Sequence, residues 1–250
     1  MLNEERKRLI YELVDKKGSV SVSELMKELA ASESTIRRAL IEMDREGLIK
    51  KVHGGAVSLK KEVLTKDQSV SQREDENIEE KQLIAKYAAE LIKDGDVCYI
   101  DAGTSTYLMI PYLNDKKATF VTNGLKHGLA LANQGHQVYM PGGSIKRATE
   151  AIIGAKAADF LTDMHFTIGF FGTNGITLAE GYTTPDVEEG MIKKKAFGHC
   201  RECYVLADSS KFNKVCTASF GQYSDAIIIT TSKARSEYAN SSNTLLVDRV

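Results

Sequence analysis

The chain has 250 residues, with 33 basic residues against 34 acidic ones, and 42% of its residues are hydrophobic. This composition can bury a core, which excludes a disordered tail as the class of protein. No run approaches the roughly 18 uncharged apolar residues of a membrane helix, and the first eight residues lack the apolar stretch of a signal peptide. We therefore expect a soluble cytoplasmic protein of one or two globular domains.

Four cysteines are too few for a disulfide scaffold at this length, and we expect free, structural thiols. Cys200 and Cys203 have the spacing of half a zinc site. A second pair of ligands is missing, however, and the adjoining His199 is poorly placed to share one ion with both thiols. We expect no metal and no cofactor.

Apolar positions recur at helical spacing in the first sixty residues and predict three short helices followed by a hairpin. The first helix ends at Gly18. Ser21 and Glu24 have the spacing of a capping box, which predicts the start of the second helix. The third helix begins near Ser34 and ends at Gly47.

The third helix carries a basic face opposite its apolar one. The segment from Ser34 to Lys61 holds seven basic residues against three acidic ones, which favours a polyanion partner. The hairpin between Leu48 and Val57 adds a basic wing, so residues 1–57 are predicted to form a winged helix-turn-helix that binds double-stranded DNA. Its candidate DNA contacts are Ser34, Thr35, Arg37, Arg38, Arg45, Lys50, Lys51 and His53. A plain solvated surface and a protein-binding winged helix are the alternatives.

Residues 58–80 have few apolar side chains and a cluster of acidic ones, which predicts a linker. Beyond it, residues 81–250 alternate short β-rich runs with helical patterns. That alternation predicts an α/β domain with a mostly parallel sheet. Helices are expected before the first strand and after Thr106, Gly124, Thr149 and Val187. The predicted strands are Val97–Asp101, Thr119–Thr122, Gln137–Met140, Phe166–Phe171, Tyr204–Ala207, Ala226–Thr230 and Thr244–Val247.

Small and polar residues follow five of these strands. Open α/β sheets bind ligands beyond the carboxyl ends of their strands, so the loops are predicted to form one pocket for a small phosphorylated polyol. Each loop alone is more typical of ordinary turn chemistry, and only their joint occurrence favours a binding site. The candidate effector-binding residues are Asp101, Gly103, Thr104, Ser105, Thr106, Thr122, Asn123, Gly142, Gly143, Gly172, Thr173, Asn174, Glu189, Lys193 and Lys211.

Several stretches together resemble the DeoR family of bacterial transcriptional regulators. In the N-terminal region they are TIRRAL at residues 35–40 and EGLIKKVHGGA at residues 46–56. In the second domain they are DAGTST at 101–106, TN at 122–123, GG at 142–143, GYTT at 181–184 and DSSKF at 208–212. Two positions depart from the family pattern: Ala39 stands where Asp is common, and Lys51 where Arg is common. The loss of the acid at position 39 removes a partner expected for a neighbouring arginine.

The resemblance implies a fold and a function. The second domain is similar to phosphosugar isomerases of the ribose-phosphate type. The implied protein is a repressor of a sugar-metabolism operon, a homo-oligomer (dimer or tetramer) whose binding to operator DNA is modulated by a phosphorylated sugar.

Isomerase activity is the alternative function. Proton transfer between adjacent carbons needs a carboxylate base, an acid and a group that stabilises the enediolate. Glu188 or Glu189 with Lys193 can supply part of this set, but the loop that is acidic in the isomerases reads GTNG at residues 172–175. The matching glycine-rich loop, residues 178–181, lacks the lysine. We therefore expect no catalytic residues and no enzyme.

Overall fold

The computed structural model describes residues 3–58, 63–65, 69–234 and 236–248. Contacts within the chain divide it into an N-terminal unit, Met1–Glu62, and a C-terminal unit, Val63–Val250. None of the helices in these described ranges is both long and apolar enough to cross a membrane. Strands and helices are numbered below in chain order.

The N-terminal unit is a winged helix-turn-helix, as the sequence predicts. Its strands form one antiparallel sheet in the order β1-β3-β2. The sequence analysis did not predict β1, which has only three residues. The elements are α1 (Asn3–Lys17), β1 (Ser19–Ser21), α2 (Val22–Leu29), α3 (Glu33–Arg45), β2 (Ile49–Val52) and β3 (Gly55–Ser58).

Local sequence signals explain where these elements begin and turn. Ser21 and Glu24 form the expected capping box at the start of α2. Gly54 has a φ of +86° in the hairpin turn, a conformation that favours glycine. At Gly55 any Cβ would lie 2.3 Å from the Val20 carbonyl oxygen, so only glycine lets β1 and β3 pair there. A buried cluster that includes Ile10, Leu25 and Met43 packs the three helices together.

A seven-stranded sheet forms the centre of the C-terminal unit, in the order β17-β16-β13-β10-β5-β6-β7 with every neighbouring pair parallel. All seven correspond to predicted strands, so the predicted α/β fold is confirmed. The strands are β5 (Val97–Ile100), β6 (Thr119–Thr122), β7 (Gln137–Tyr139), β10 (Phe166–Gly172), β13 (Cys200–Leu206), β16 (Ile227–Thr230) and β17 (Thr244–Leu246).

Alternate side chains of these strands point to opposite sides of the sheet, and both faces are buried. Tyr99 belongs to the cluster on one face and Ile100 to the cluster on the other. Helices cover both faces: α5 packs its alanines and Ile84 on one, and α9 packs Ile192 on the other. The helices are α4 (Val70–Glu74), α5 (Ile78–Glu90), α6 (Thr104–Tyr107), α7 (Leu125–Asn133), α8 (Ala155–Phe160), α9 (Val187–Phe197) and α10 (Ser236–Ala239), with 3-10 turns at Ile110–Tyr112, Ser209–Lys211 and Tyr223–Asp225.

Smaller strands surround the main sheet, and one expectation fails there. No helix follows Thr149: residues 144–153 form an antiparallel hairpin, and α8 begins only at Ala155. A separate antiparallel sheet, β11-β12-β15, was not expected either. The remaining strands are β4 (Val63–Leu64), β8 (Ser144–Lys146), β9 (Ala151–Ile153), β11 (Gly175–Thr177), β12 (Gly181–Thr184), β14 (Val215–Cys216) and β15 (Ala218–Gly221).

The described part of the predicted linker, residues 58–80, contains secondary structure. It includes β4, α4 and the first turn of α5. Ser69 caps α4 with Gln72 in a capping box, which the analysis did not detect. Lys60 and Lys61, counted in the basic segment, lie outside the described residues. The domain limits at residues 57 and 81 stay a prediction.

Candidate DNA interface and candidate effector site

The start and orientation of α3 are fixed by two sets of polar contacts. The Ser32 hydroxyl accepts a hydrogen bond from the Thr35 amide at 3.4 Å, so the helix begins at Glu33, one residue before the predicted Ser34. At the other end, the buried Lys7 ammonium of α1 lies 2.6 Å from Glu46 and 3.2 Å from Glu42. These ion pairs hold α3 against α1.

The arginines of α3 face outward as the periodicity predicts. Arg37, Arg38 and Arg45 are exposed, and Arg37 is paired with Glu33 at 2.7 Å. Within the described part of the chain, the guanidinium groups of Arg38 and Arg45 have neither a hydrogen bond nor an ion pair. Ala39 is buried in the core. Because Glu33 already pairs with Arg37, that arginine has a partner without an acid at position 39.

The hydroxyls and the wing complete the predicted DNA face. Ser34 is exposed, and Thr35 is half-buried with its hydroxyl 2.8 Å from that of Ser32. Lys50, Lys51 and His53 are all exposed on β2 and the following turn. The Lys51 amide also donates to the Asp44 carboxylate of α3 at 2.8 Å, which ties the wing to the helix.

In the C-terminal unit, the loop after β5 is the centre of the candidate effector site. Gly103 precedes the short helix α6, and the amides of Thr104 and Ser105 at its start have no partner within the helix. The Thr106 hydroxyl faces inward and donates to the Asp101 carbonyl at 2.6 Å. The start of α6 therefore leaves two backbone amides without an intrahelical partner, while the buried Thr106 holds the loop in shape.

Nine of the fifteen predicted effector residues line one small cavity beside this loop, which we call the anion cavity. Its free volume is about 30 Å³, enough for one small group. Ala102 also lines it, and so does Arg73, to which the sequence analysis gave no role. The predicted residues that line it are Gly103, Thr104, Ser105, Gly172, Thr173, Asn174, Glu189, Lys193 and Lys211.

A buried ion pair joins Lys193, which lines the anion cavity, to Asp101, which does not. The Lys193 ammonium contacts the Asp101 carboxylate and also donates to the Gly172 carbonyl at 3.1 Å. The Gly172 amide donates to the same carboxylate at 3.1 Å. Burial raises the pKa of Asp101 above its ordinary value, while the neighbouring Lys193 opposes that rise. The other Asp101 oxygen is buried without a hydrogen-bond partner among the described residues.

Lys211 is fixed by the turn after β13. Its ammonium lies 3.3 Å from the Asp208 carboxylate, which also accepts from the Asn77 amide group at 2.8 Å and from the Ser210 amide at 3.0 Å. Burial of Asp208 pushes its pKa up, but Lys211 and the hydrogen bonds of Ser210 outweigh burial and hold the pKa below its ordinary value. Asp208 is therefore a charged support for the lysine.

The carboxylate of Glu189 is already engaged at the edge of the cavity. It accepts a hydrogen bond from the Thr149 hydroxyl and lies 3.1 Å from the Lys146 ammonium. A general base must reach a substrate proton. Because Thr149 and Lys146 already bind the Glu189 carboxylate, Glu189 is a poor candidate for a general base.

Six predicted effector residues do not line the cavity. Asp101, Thr106, Thr122 and Asn123 are buried. The Asn123 side chain accepts from the Ala102 amide at 3.0 Å and thus shapes the loop. Gly142 and Gly143 are exposed ahead of the β8–β9 hairpin. A Cβ at Gly143 would lie 2.5 Å from the Ile153 carbonyl oxygen, so close packing explains the glycine at that position.

Sequence reasoning assigned no role to three residues that the structure places around the site. Arg73 lines the cavity from α4. The Lys81 ammonium is buried and donates to the Arg73 carbonyl, and burial lowers the pKa of Lys81. His127 lies behind the loop with Nε2 3.1 Å from the Gly103 carbonyl; burial lowers its pKa to about 4, so it is neutral at pH 7. Their roles depend on distant contacts that no local pattern reveals.

All four cysteines are free thiols, as expected. The Cys200 thiol donates to the Ala196 carbonyl at 3.2 Å, and the Cys203 thiol to the Phe197 carbonyl at 3.3 Å. The described ranges contain no group of three or more side chains with the arrangement of a metal site.

Comparison with known proteins identifies both units. The model of the DeoR-like helix-turn-helix domain matches residues 6–62, and that of the DeoR C terminal sensor domain matches residues 76–233. An uncharacterized HTH-type transcriptional regulator FruR of Bacillus subtilis is 40% identical over 92% of this chain and 92% of its own length. The lactose phosphotransferase system repressor of Streptococcus mutans is 33% identical, again over 92% of each chain.

One further relative and one solved structure show the range of similarity. The HTH-type transcriptional regulator GlpR of Haloferax volcanii is 35% identical over 86% of this chain and 84% of its own. Ribose 5-phosphate isomerase A of Methanocaldococcus jannaschii has a TM-score of 0.42 and 17% identity, covering 54% of this chain and 55% of that chain. A score this low carries no argument about function.

Proposed function

The chain belongs to the DeoR family of transcriptional regulators, and we propose that it is a cytoplasmic repressor whose affinity for operator DNA changes when a small phosphorylated sugar binds in its anion cavity. The regulated operon would serve sugar metabolism, as the name of the lactose phosphotransferase system repressor indicates for that relative.

The observation that carries the effector half of the proposal is the convergence of three cations on one loop. Arg73, Lys193 and Lys211 come from three separate segments, and all line the cavity beside Gly103. Guanidinium and ammonium groups together with backbone amides are the donors that bind phosphate. Small hydroxyls at Thr104 and Ser105 add further donors for an oxygen-rich ligand. The Thr173 hydroxyl also lies at the cavity, but it already donates to the Gly175 and Thr183 carbonyls.

The exposed arginines of α3 carry the DNA half. Arg38 and Arg45 keep their donors available, and arginine can bind guanine edges or phosphates from a helix in the major groove. Arg37 has to exchange its contact with Glu33 for DNA. Lys50, Lys51 and His53 would contact the phosphate backbone from the wing, with Ser34 and Thr35 assisting at the helix start.

We infer that ligand binding is not accompanied by turnover. The only carboxylate that lines the anion cavity among the described residues is Glu189, and Thr149 and Lys146 already bind it. Regulation requires a ligand that binds two arrangements of the protein unequally. A homo-oligomer, dimer or tetramer, would supply such arrangements and present two DNA readers to repeated half-sites.

The test is a binding titration with the full-length protein and a DNA fragment selected by it from a random library. Affinity should fall steeply, by orders of magnitude, between about 50 and 200 mM salt because several phosphates are neutralised. Sugar phosphates should then shift the affinity, and inorganic phosphate should compete with them. A binding constant that is independent of salt would instead favour a protein-binding winged helix, and isomerisation of a bound sugar phosphate would favour an enzyme.

A further inference from the structure

A second, larger hollow adjoins the anion cavity; we call it the side pocket. Its volume is about 380 Å³, within the roughly 300–1,000 Å³ typical of small-molecule sites, whereas the anion cavity has only about 30 Å³. The side pocket is lined by residues of α4 and the start of α5, of the loop after β5 with α6, of the start of α7, and of the β8–β9 hairpin.

Two pieces of the chain and one hydrogen bond connect the two hollows. Gly103 and Thr104 line each of them. In α4, Arg73 lines the anion cavity and the next residue, Glu74, lines the side pocket. The third link is the hydrogen bond from Thr149, in the side pocket, to Glu189, in the anion cavity. The two hollows are therefore compartments on either side of one loop.

The walls of the side pocket combine apolar surface with carboxylates. Val70, Ile78 and Leu108 are half-buried there, and the Tyr107 ring packs edge-on against His127 with centroids 5.2 Å apart. Because the lowered pKa of His127 keeps it neutral, the ring adds no charge. Glu74 and Glu150 line the same pocket and lie 3.4 and 3.2 Å from the Lys126 ammonium. The lining holds three carboxylates, of Glu74, Asp75 and Glu150, against one ammonium, so its net negative charge repels a second anion. The carboxylate oxygens can accept hydrogen bonds from hydroxyl groups.

We propose that the effector is the phosphate ester of a ring-closed sugar, with its phosphate in the anion cavity and its ring in the side pocket. This inference rests on the proposed function and names the ligand class of that site. A sugar ring has an apolar face that can pack on Tyr107 and Leu108 and an edge of hydroxyls that can donate to Glu74 and Glu150. An open-chain polyol has hydroxyls on every side and cannot satisfy them against the apolar wall.

Two matched pairs of probes test the ligand class by calorimetry on the full-length protein. Glucose 6-phosphate is compared with its reduced open-chain form, glucitol 6-phosphate, and ribose 5-phosphate with ribitol 5-phosphate; inorganic phosphate probes the anion cavity alone. In at least one pair the ring-closed sugar should bind about tenfold more tightly than its polyol and than inorganic phosphate. If no sugar phosphate binds more tightly than inorganic phosphate, or if the polyols bind best, the proposal is wrong.

Variants separate the two compartments. Val70→Trp fills the side pocket and Tyr107→Ala removes its aromatic wall; each should weaken sugar phosphate binding at least about fivefold and leave inorganic phosphate binding unchanged. Tyr112→Ala is the matched control, since Tyr112 is a similarly exposed tyrosine outside the pocket. Lys211→Ala should weaken both kinds of ligand. A cooperative urea unfolding transition followed by tyrosine fluorescence verifies that the C-terminal unit of each variant is folded, since nine of the ten tyrosines lie in that unit.

The failures are distinguishable. If Lys211→Ala weakens sugar phosphate binding but the two side-pocket variants bind like the wild type, the side pocket is not part of the site and only the present inference fails. If neither inorganic phosphate nor any sugar phosphate binds the wild type, the anion cavity is not an effector site and the proposed function fails with it.

Discussion

Replacing Lys193 by methionine tests its buried ion pair with Asp101. The Lys193 side chain is 5% exposed and that of Asp101 1%. Methionine nearly preserves the volume but removes the charge, which leaves a buried carboxylate with one remaining donor, the Gly172 amide. Breaking such a pair costs about 3–5 kcal/mol when the remaining charge cannot escape.

In the variant, Asp101 can lose its charge by taking up a proton. The cost of this protonation sets the size and the pH dependence of the loss in unfolding free energy. Protonation costs about 1.4 kcal/mol for each pH unit above the ordinary pKa of 3.8. The variant should therefore lose about 4 kcal/mol of unfolding free energy at pH 7 but only about 2 kcal/mol at pH 5. The sign follows from the raised pKa of the folded state: the folded variant binds more protons than the unfolded chain, so its stability falls as pH rises above the unfolded pKa.

Urea unfolding of the ligand-free protein between pH 5 and 7 measures this loss. The chain has no tryptophan, and of its ten tyrosines only Tyr11 lies before residue 63, so tyrosine fluorescence reports the C-terminal unit. Lys194→Met, at the exposed neighbouring position, is the control and should change stability by no more than about 0.5 kcal/mol. Adding Asp101→Asn to Lys193→Met should recover most of the loss. A loss below about 1 kcal/mol at pH 7, or one that does not change with pH, would refute the reasoning.

Three further substitutions test the other parts of the molecule. Arg38→Ala should weaken binding to the selected DNA by about tenfold or more in an anisotropy titration, whereas Arg8→Ala on α1 should not; equal affinities would remove Arg38 from the interface. Gly103→Val is compatible with the extended φ of −176° at that position but places methyl groups near the mouth of the anion cavity, so DNA binding without ligand should persist while the response to sugar phosphate disappears. A retained response would move the effector elsewhere. Ser32→Ala removes the cap of α3 and should lower the stability of the N-terminal unit by about 1 kcal/mol in thermal unfolding followed by circular dichroism; an unchanged melting curve would show that the cap bond contributes little.

The main sheet could be predicted because its strands are buried on both faces. Such strands appear as short apolar runs between turn residues, and the run from Thr119 to Thr122 gives the strand boundaries without error. The β8–β9 hairpin was missed for the opposite reason. Residues 144–153 carry charged side chains at Lys146, Arg147 and Glu150, so neither an apolar run nor a strict alternation is present. The expected helix after Thr149 was an extrapolation of the α/β alternation.

The candidate effector site was predictable only where it follows strands. Gly103, Gly172 and Lys211 lie in strand-end loops, which the topology of a parallel sheet brings to one edge. Arg73 lies 24 residues before the first strand of the sheet and enters the site through the packing of α4. The side pocket depends on the same helix. Sequence periodicity reports local structure and not packing between distant segments, so the role of those residues can be recognised only in the folded chain.

In the proposed mechanism, the placement of α4 makes the regulatory effect of a ligand depend on its size. The anion cavity holds one small group, so a sugar phosphate that occupies both compartments must contact α4 from both sides: Arg73 at its phosphate, Val70 and Glu74 at its ring. The same short helix is the first in the chain after the DNA-binding unit. A ligand shifts DNA affinity only through contacts that differ between two states of the protein. In this arrangement inorganic phosphate reaches α4 only at Arg73, whereas a ligand that spans both compartments also contacts Val70 and Glu74. At equal occupancy of the site, inorganic phosphate should therefore change DNA affinity less than such a ligand does.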